Sequence, residues 1–129
     1  MIPKFRAWDK KLKKMFEVSY IDFDTKLIGL NIDLEIIIFD FEDIILMQST
    51  GLKDKNGKEI FEGDILGFET DEGILNVNVF WDSKHALFMF ESKIHNEEEL
   101  LAELVENNTY PFEIVGNIYE NPELLEVKL

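Results

Sequence analysis

The sequence predicts a mainly β (α+β) protein. It would form a small bent antiparallel sheet or partial barrel, with one surface helix near 97–107 and a short helical turn near the C-terminal end. Three observations predict this. Leu75, Val77, Val79 and Trp81 alternate with Asn76, Asn78 and Phe80, the period of two that marks a half-buried strand. Runs rich in β-branched and aromatic residues recur along the chain, bounded by clusters of Asp, Asn, Gly and Lys. One stretch, with Leu100, Leu101, Leu104 and Val105 on a common face, has the spacing of an amphipathic helix.

In chain order, Phe5 to Trp8 reads as a short strand, Asp9-Lys10-Lys11 as a turn, and Met15 to Tyr20 as the hairpin partner. Leu34 to Phe39 and Ile44 to Gln48 read as strands, with the polar Asp40-Phe41-Glu42-Asp43 between them. Asn56-Gly57 suits a type I′ turn, in which both central residues take positive φ. Glu62-Gly63-Asp64 gives a second sharp turn into a strand from Asp64 to Glu69. Gly73 closes the turn that follows, and Asp82 to His85 turns the chain again into a strand from Ala86 to Glu91. The strands on either side of these turns make a three-strand meander.

Asn96 stands three residues before Glu99, the capping-box spacing, and Glu97, Glu98 and Glu99 place negative charge where a helix dipole favours it. Asn107-Asn108 would end that helix, and Pro111 blocks its extension. Phe112 to Tyr119 returns to strand, with Gly116 among the positions shaped for a turn. Asn121 and Pro122 have the types of an N-cap and a first helical residue, and open the final helical turn. Trp8 and Trp81, both on predicted strands, are expected in the core. No internal repeat or low-complexity linker is apparent.

The 129 residues fit a single domain over 1–129, with an N-terminal hairpin region at about 1–48 and a β core at about 49–129. Apolar residues make up 46%, enough to build a core. With no cysteine, disulfides, thiolate metal sites and cysteine nucleophiles are excluded. No targeting segment is apparent, and the apolar runs fall far short of the roughly 20 residues that span a bilayer. The expectation is a cytoplasmic protein with no membrane partner.

The net charge of −14 is unevenly spread. Residues 1–58 hold ten basic and ten acidic residues, whereas residues 59–129 hold three lysines and seventeen acids. Such a surface repels phosphate backbones and weighs against direct nucleic-acid binding. The exception is the basic N-terminal stretch with Lys10, Lys11, Lys13 and Lys14, which an ordinary charged hairpin also explains.

Ser49 to Phe68 nearly matches two ligand loops. A phosphate-binding loop needs four residues between its first Gly and Gly-Lys, followed by Ser or Thr. Here five residues separate Gly51 from Gly57-Lys58, and Glu59 replaces the hydroxyl. A calcium loop starting at Asp54 would need Gly at position six and Glu at twelve, where Glu59 and Ile65 stand. The chain's two histidines, His85 and His95, offer little for a histidine-based metal site, and Ser83 beside His85 does not make a triad. No motif calls for a cofactor. The stretch therefore reads as turn chemistry, with Lys53, Asp54, Lys55 and Lys58 as an exposed candidate partner surface.

Three blocks, "KFRAWDKKLKKMF", "STGLKDKNGKEIFEGDIL" and "EIVGNIYENPELL", resemble in kind and order the signature blocks of the YopX family. The resemblance spans the chain, apart from Asp22–Met47 and Asn96–Asn107. It implies a phage or prophage origin, a mostly β domain and the cytoplasm of a bacterial host. It transfers no catalytic residues.

The reading this favours is a non-enzymatic accessory protein acting through protein contacts, with a homo-oligomer and a host or phage protein as expected partners. One alternative is an acidic DNA mimic that occupies a host nucleic-acid-binding protein. The other is a hydrolase that holds a metal with clustered carboxylates.

Overall fold

The computed structural model describes residues 4–107 and 111–126. It is mostly strand, in two antiparallel sheets that do not close into a barrel. The chain forms two compact units, Met1–Ser49 and Thr50–Leu129.

The first unit holds β1 (Phe5–Asp9), β2 (Lys14–Asp22), β3 (Leu27–Ile32), β4 (Glu35–Asp40) and the start of β5 (Ile44–Lys53). A single 3-10 turn, Phe41–Asp43, leads into β5. β5 passes into the second unit, which continues with β6 (Glu59–Phe61), β7 (Asp64–Thr70), β8 (Gly73–Asp82), β9 (Leu87–Ser92) and β10 (Glu97–Leu100). Helix α1 (Leu101–Asn107), β11 (Phe112–Asn117) and a 3-10 turn at Pro122–Leu125 complete it. The strand orders are β4-β3-β2-β1-β5-β6 and β10-β9-β8-β7-β11. The meander expected from sequence is present as β7-β8-β9, with β10 added at one side and β11 at the other.

Each unit has its own core. Ala7, Ile28, Leu30 and Ile44 are buried together in the first. Ile60, Leu66, Phe68, Val77, Val79, Phe90, Leu101 and Phe112 are buried together in the second. Tyr20 faces Gly29 across β2 and β3, and a Cβ on Gly29 would collide with the tyrosine ring. The ring thus packs over the glycine and covers a position with no side chain of its own.

One loop type recurs. Asp9 pairs with Lys14, Asp22 with Leu27, Asp82 with Leu87 and Ser92 with Glu97, so four residues separate each pair of strands. The last loop residue has positive φ in each case: Lys13, Lys26, Ala86 and Asn96. The opening side chain accepts loop N–H bonds, as from Lys11 to Asp9 Oδ1 (2.9 Å), Asp24 to Asp22 Oδ1 (3.0 Å), Lys84 to Asp82 Oδ1 (3.1 Å) and His95 to Ser92 Oγ (3.3 Å). Only the opening Asp or Ser carries this signal, so the loops do not register as a sequence repeat.

That loop changes the helix. Asn96 is not its cap but the left-handed residue that closes the β9–β10 hairpin, with φ of 52°. Glu97, Glu98 and Glu99 pair with Ser92, Glu91 and Phe90 as strand, and the helix begins only at Leu101. Backbone pairing with β9 overrides a local capping signal that would stabilise a first helical turn by only about 1 kcal/mol. Asn108, part of the expected helix stop, lies outside the described residues. Strand β3 was not evident in the sequence.

The type I′ turn is found at Asp33-Leu34, not at Asn56-Gly57. Asp33 and Leu34 have φ of 49° and 68° between the paired Ile32 and Glu35. Leucine is costly there, by about 1–2 kcal/mol for an L-residue in the left-handed region, and Leu34 is fully exposed, at 106%. Leu34→Gly is expected to stabilise the fold by up to about 1 kcal/mol, after the entropy it returns to the unfolded chain. Urea denaturation checks this through a raised midpoint at unchanged slope.

Trp81 is not core. It is 40% exposed beside the β8–β9 loop, edge-on to Phe88 with ring centroids 4.9 Å apart. Trp8 is half-buried. No helix of the described residues is long and apolar enough to cross a membrane.

Candidate functional site

Three places concentrate exposed chemistry: the β5–β6 hairpin tip, the β1–β2 hairpin tip, and a groove on the second unit.

At the β5–β6 tip, the Gly57 N–H donates to the Asp54 carbonyl (3.0 Å) and the Asp54 N–H to the Lys58 carbonyl (2.9 Å). Gly57 alone of this turn has positive φ, 78°. This matches a type I turn followed by one left-handed residue, so Asn56 does not need the positive φ expected of it. Lys53, Lys55 and Lys58 are exposed, but Asp54 is not: it is 7% exposed. Asp54 Oδ1 accepts the N–H groups of Asn56 and Lys58, both at 2.9 Å, and Oδ2 accepts that of Ile114 at 3.0 Å. Burial would raise its pKa. The Ile114, Lys58 and Asn56 N–H bonds and the Lys58 charge outweigh that, and its pKa lies below the usual carboxylate value. Asp54 is thus an internal clasp joining the hairpin to β11, where it was expected as exposed partner surface. The Lys55 N–H also donates to the Phe112 carbonyl (3.2 Å).

The other turn residues have equally specific duties. Gly63, with φ of 85°, donates to the Val79 carbonyl (2.9 Å) and accepts from the Ile118 N–H (2.8 Å). Asp64 begins β7, and its Oδ2 accepts the Phe61 N–H at 2.8 Å. Gly73, with φ of 116°, opens β8. Gly116 lies within β11 at its bulge, not in a turn. A Cβ there would collide with the Asn121 side chain, whose Oδ1 accepts the Asn117 N–H at 3.2 Å. Asn121 precedes Pro122 at the start of the 3-10 turn but makes no side-chain cap bond, because its oxygen is turned to that strand.

At the β1–β2 tip, Lys10, Lys11, Lys13 and Lys14 are all exposed. Lys10 Nζ donates to the Glu42 carbonyl at 2.9 Å. Asp9 is buried beneath the loop and ties it down through its side chain. Among these lysines stands Leu12, 54% exposed.

The groove has a volume of about 220 Å³. Phe68, Val77 and Phe90 form its apolar floor, Leu104 of α1 closes one side, and His95, Glu97 and Glu99 stand at its rim. Glu97 and Glu99 share one face because they alternate on a strand. Read as a first helical turn, they did not point to a groove. Leu12, framed by four lysines, was likewise a signal in plain view.

Two further carboxylates are perturbed. A side-chain hydrogen bond from His85 lowers the Asp82 pKa and outweighs the opposing effect of burial, with Nδ1 at 2.8 Å from Oδ2. Bonds from the Thr25 side chain and backbone lower that of Asp22. Both aspartates open hairpin loops. Among the described residues, no three His, Asp or Glu side chains are grouped to hold a metal ion.

The family model described as YopX protein matches residues 4–126. The chain belongs to the YopX family. Its structure is similar to protein EF1440 from Enterococcus faecalis, with a TM-score of 0.69 and 33% identity over 98% of this chain and 99% of that one. It is similar in fold to protein YopX from Bacillus subtilis, with a TM-score of 0.64 and 19% identity over 98% of each chain. No curated protein matches the chain. The YopX match takes in both hairpin tips, the groove and the Asp54 clasp.

Proposed function

We propose that this YopX-family chain is a phage-encoded, non-enzymatic accessory protein of the host cytoplasm that acts through protein contacts and self-associates. One observation carries the reading: the charge is divided between the two units. Residues 1–49 hold seven basic and nine acidic residues, while residues 50–129 hold six basic and eighteen acidic ones. Within the first unit, four of the seven basic side chains crowd one hairpin tip. Both units are net negative, but the lysine-rich tip is opposite in charge to the strongly acidic second unit. This favours head-to-tail association, which closes into a ring when the rotation between copies allows it.

Light scattering at low and high salt tests the self-association. Assembly that weakens as salt rises is the expected result. A monomer at both salts and at working concentration removes it. Affinity purification from infected cells then identifies any further host or phage partner.

A further inference from the structure

We propose that the β1–β2 hairpin tip of one copy docks in the groove of a second copy, with Leu12 as the apolar anchor and the surrounding lysines against Glu97 and Glu99. This deepens the self-association reading and rests on it.

The two surfaces match in shape class and in charge. Leu12 stands exposed at a tip where every other loop residue is lysine. The tip is pre-shaped: Asp9 Oδ1 accepts the Lys11 and Leu12 N–H groups at 2.9 and 3.3 Å, and the Lys13 N–H returns to the Asp9 carbonyl at 2.8 Å. Little loop entropy remains to be lost on docking. The groove offers the converse, an apolar floor with carboxylates at the rim. An apolar cavity of about 150 Å³ holds a benzene-sized group. The 220 Å³ groove therefore has room for an isobutyl side chain. An apolar anchor in a pocket with charges around it is the usual anatomy of a protein interface, and the charges fix the partner's orientation.

The contact is heterologous, since tip and groove are different surfaces, and each copy keeps one free tip and one free groove for the next. Two variants test it, both at exposed positions: Leu12→Asp at the tip, and the double change Glu97→Lys with Glu99→Lys at the groove. Circular dichroism confirms that each stays folded. In sedimentation equilibrium, each variant alone is expected to self-associate about tenfold or more weakly than the wild type. Mixed together, they are expected to form a one-to-one complex, because the Leu12→Asp chain keeps its groove and the groove variant keeps its tip. A wild type that assembles while Leu12→Asp assembles equally well overturns this docking and leaves self-association standing. Variants that each lose assembly but do not associate with one another also overturn it. A wild type that is monomeric at every concentration and salt overturns both.

Discussion

Asp54→Ala is expected to lower the unfolding free energy by about 2 kcal/mol, because it removes one charged acceptor shared by three part-buried backbone donors. The Asp54 carboxylate accepts from Asn56, Lys58 and Ile114 while only 7% exposed, and alanine removes all three bonds. Asp54→Asn keeps the shape but can turn only one oxygen to these donors, so it too should destabilise, by a smaller amount. The loss should be accompanied by early hydrogen exchange at Ile114 and Lys58, whose N–H groups lose their acceptor. If thermal or urea unfolding of Asp54→Ala matches the wild type, the clasp contributes nothing.

The same carboxylate gives a pH dependence. Its pKa is lower folded than unfolded, so the unfolded state takes up the proton first as pH falls. Its stabilising contribution is complete above about 3.9, the ordinary aspartate value. It is lost as pH drops through the lower folded value. Between pH 5 and 2, wild-type stability should therefore fall more steeply than that of Asp54→Asn. Parallel curves would show that Asp54 does not couple to folding.

Leu101→Ala is expected to cost about 3 kcal/mol, in the range for a buried leucine truncated within a packed core. Leu101 is 0% exposed and belongs to the second unit's core with Phe68, Phe90 and Phe112. It is also where strand β10 gives way to α1, so its burial anchors the helix to the sheet. Glu103→Ala, on the exposed side of the same helix, should change stability by less than about 0.5 kcal/mol. Equal urea midpoints for the two variants would contradict this placement of Leu101.

The sequence made the strands legible where local signals were strong. The alternation from Leu75 to Val79 does lie on a strand, though Asn78 on its polar face is buried as well, and the β1–β2 hairpin lies where its turn chemistry predicted. It failed where a local signal was outweighed by a distant partner. The Asn96-to-Glu99 capping pattern is genuine, yet those residues pair with β9. A charged residue between two lysines reads as surface, and nothing local reveals that Asp54 faces the Ile114 amide sixty residues away. The unglycinated type I′ turn at Asp33-Leu34 escaped because its residues are poor at that task and the strand pairing imposes it.

By itself, the amino-acid sequence determined that this is a mostly β member of the YopX family, with a charge imbalance and no cysteine chemistry. Period, turn residues and composition are properties of neighbours in the chain, and they need no knowledge of what packs where. Tertiary structure alone decided the division into two sheets, the burial of Asp54 and the groove beside Glu97 and Glu99. Those features depend on hydrogen bonds and apolar contacts between distant segments, whose energies exceed the local preferences they override.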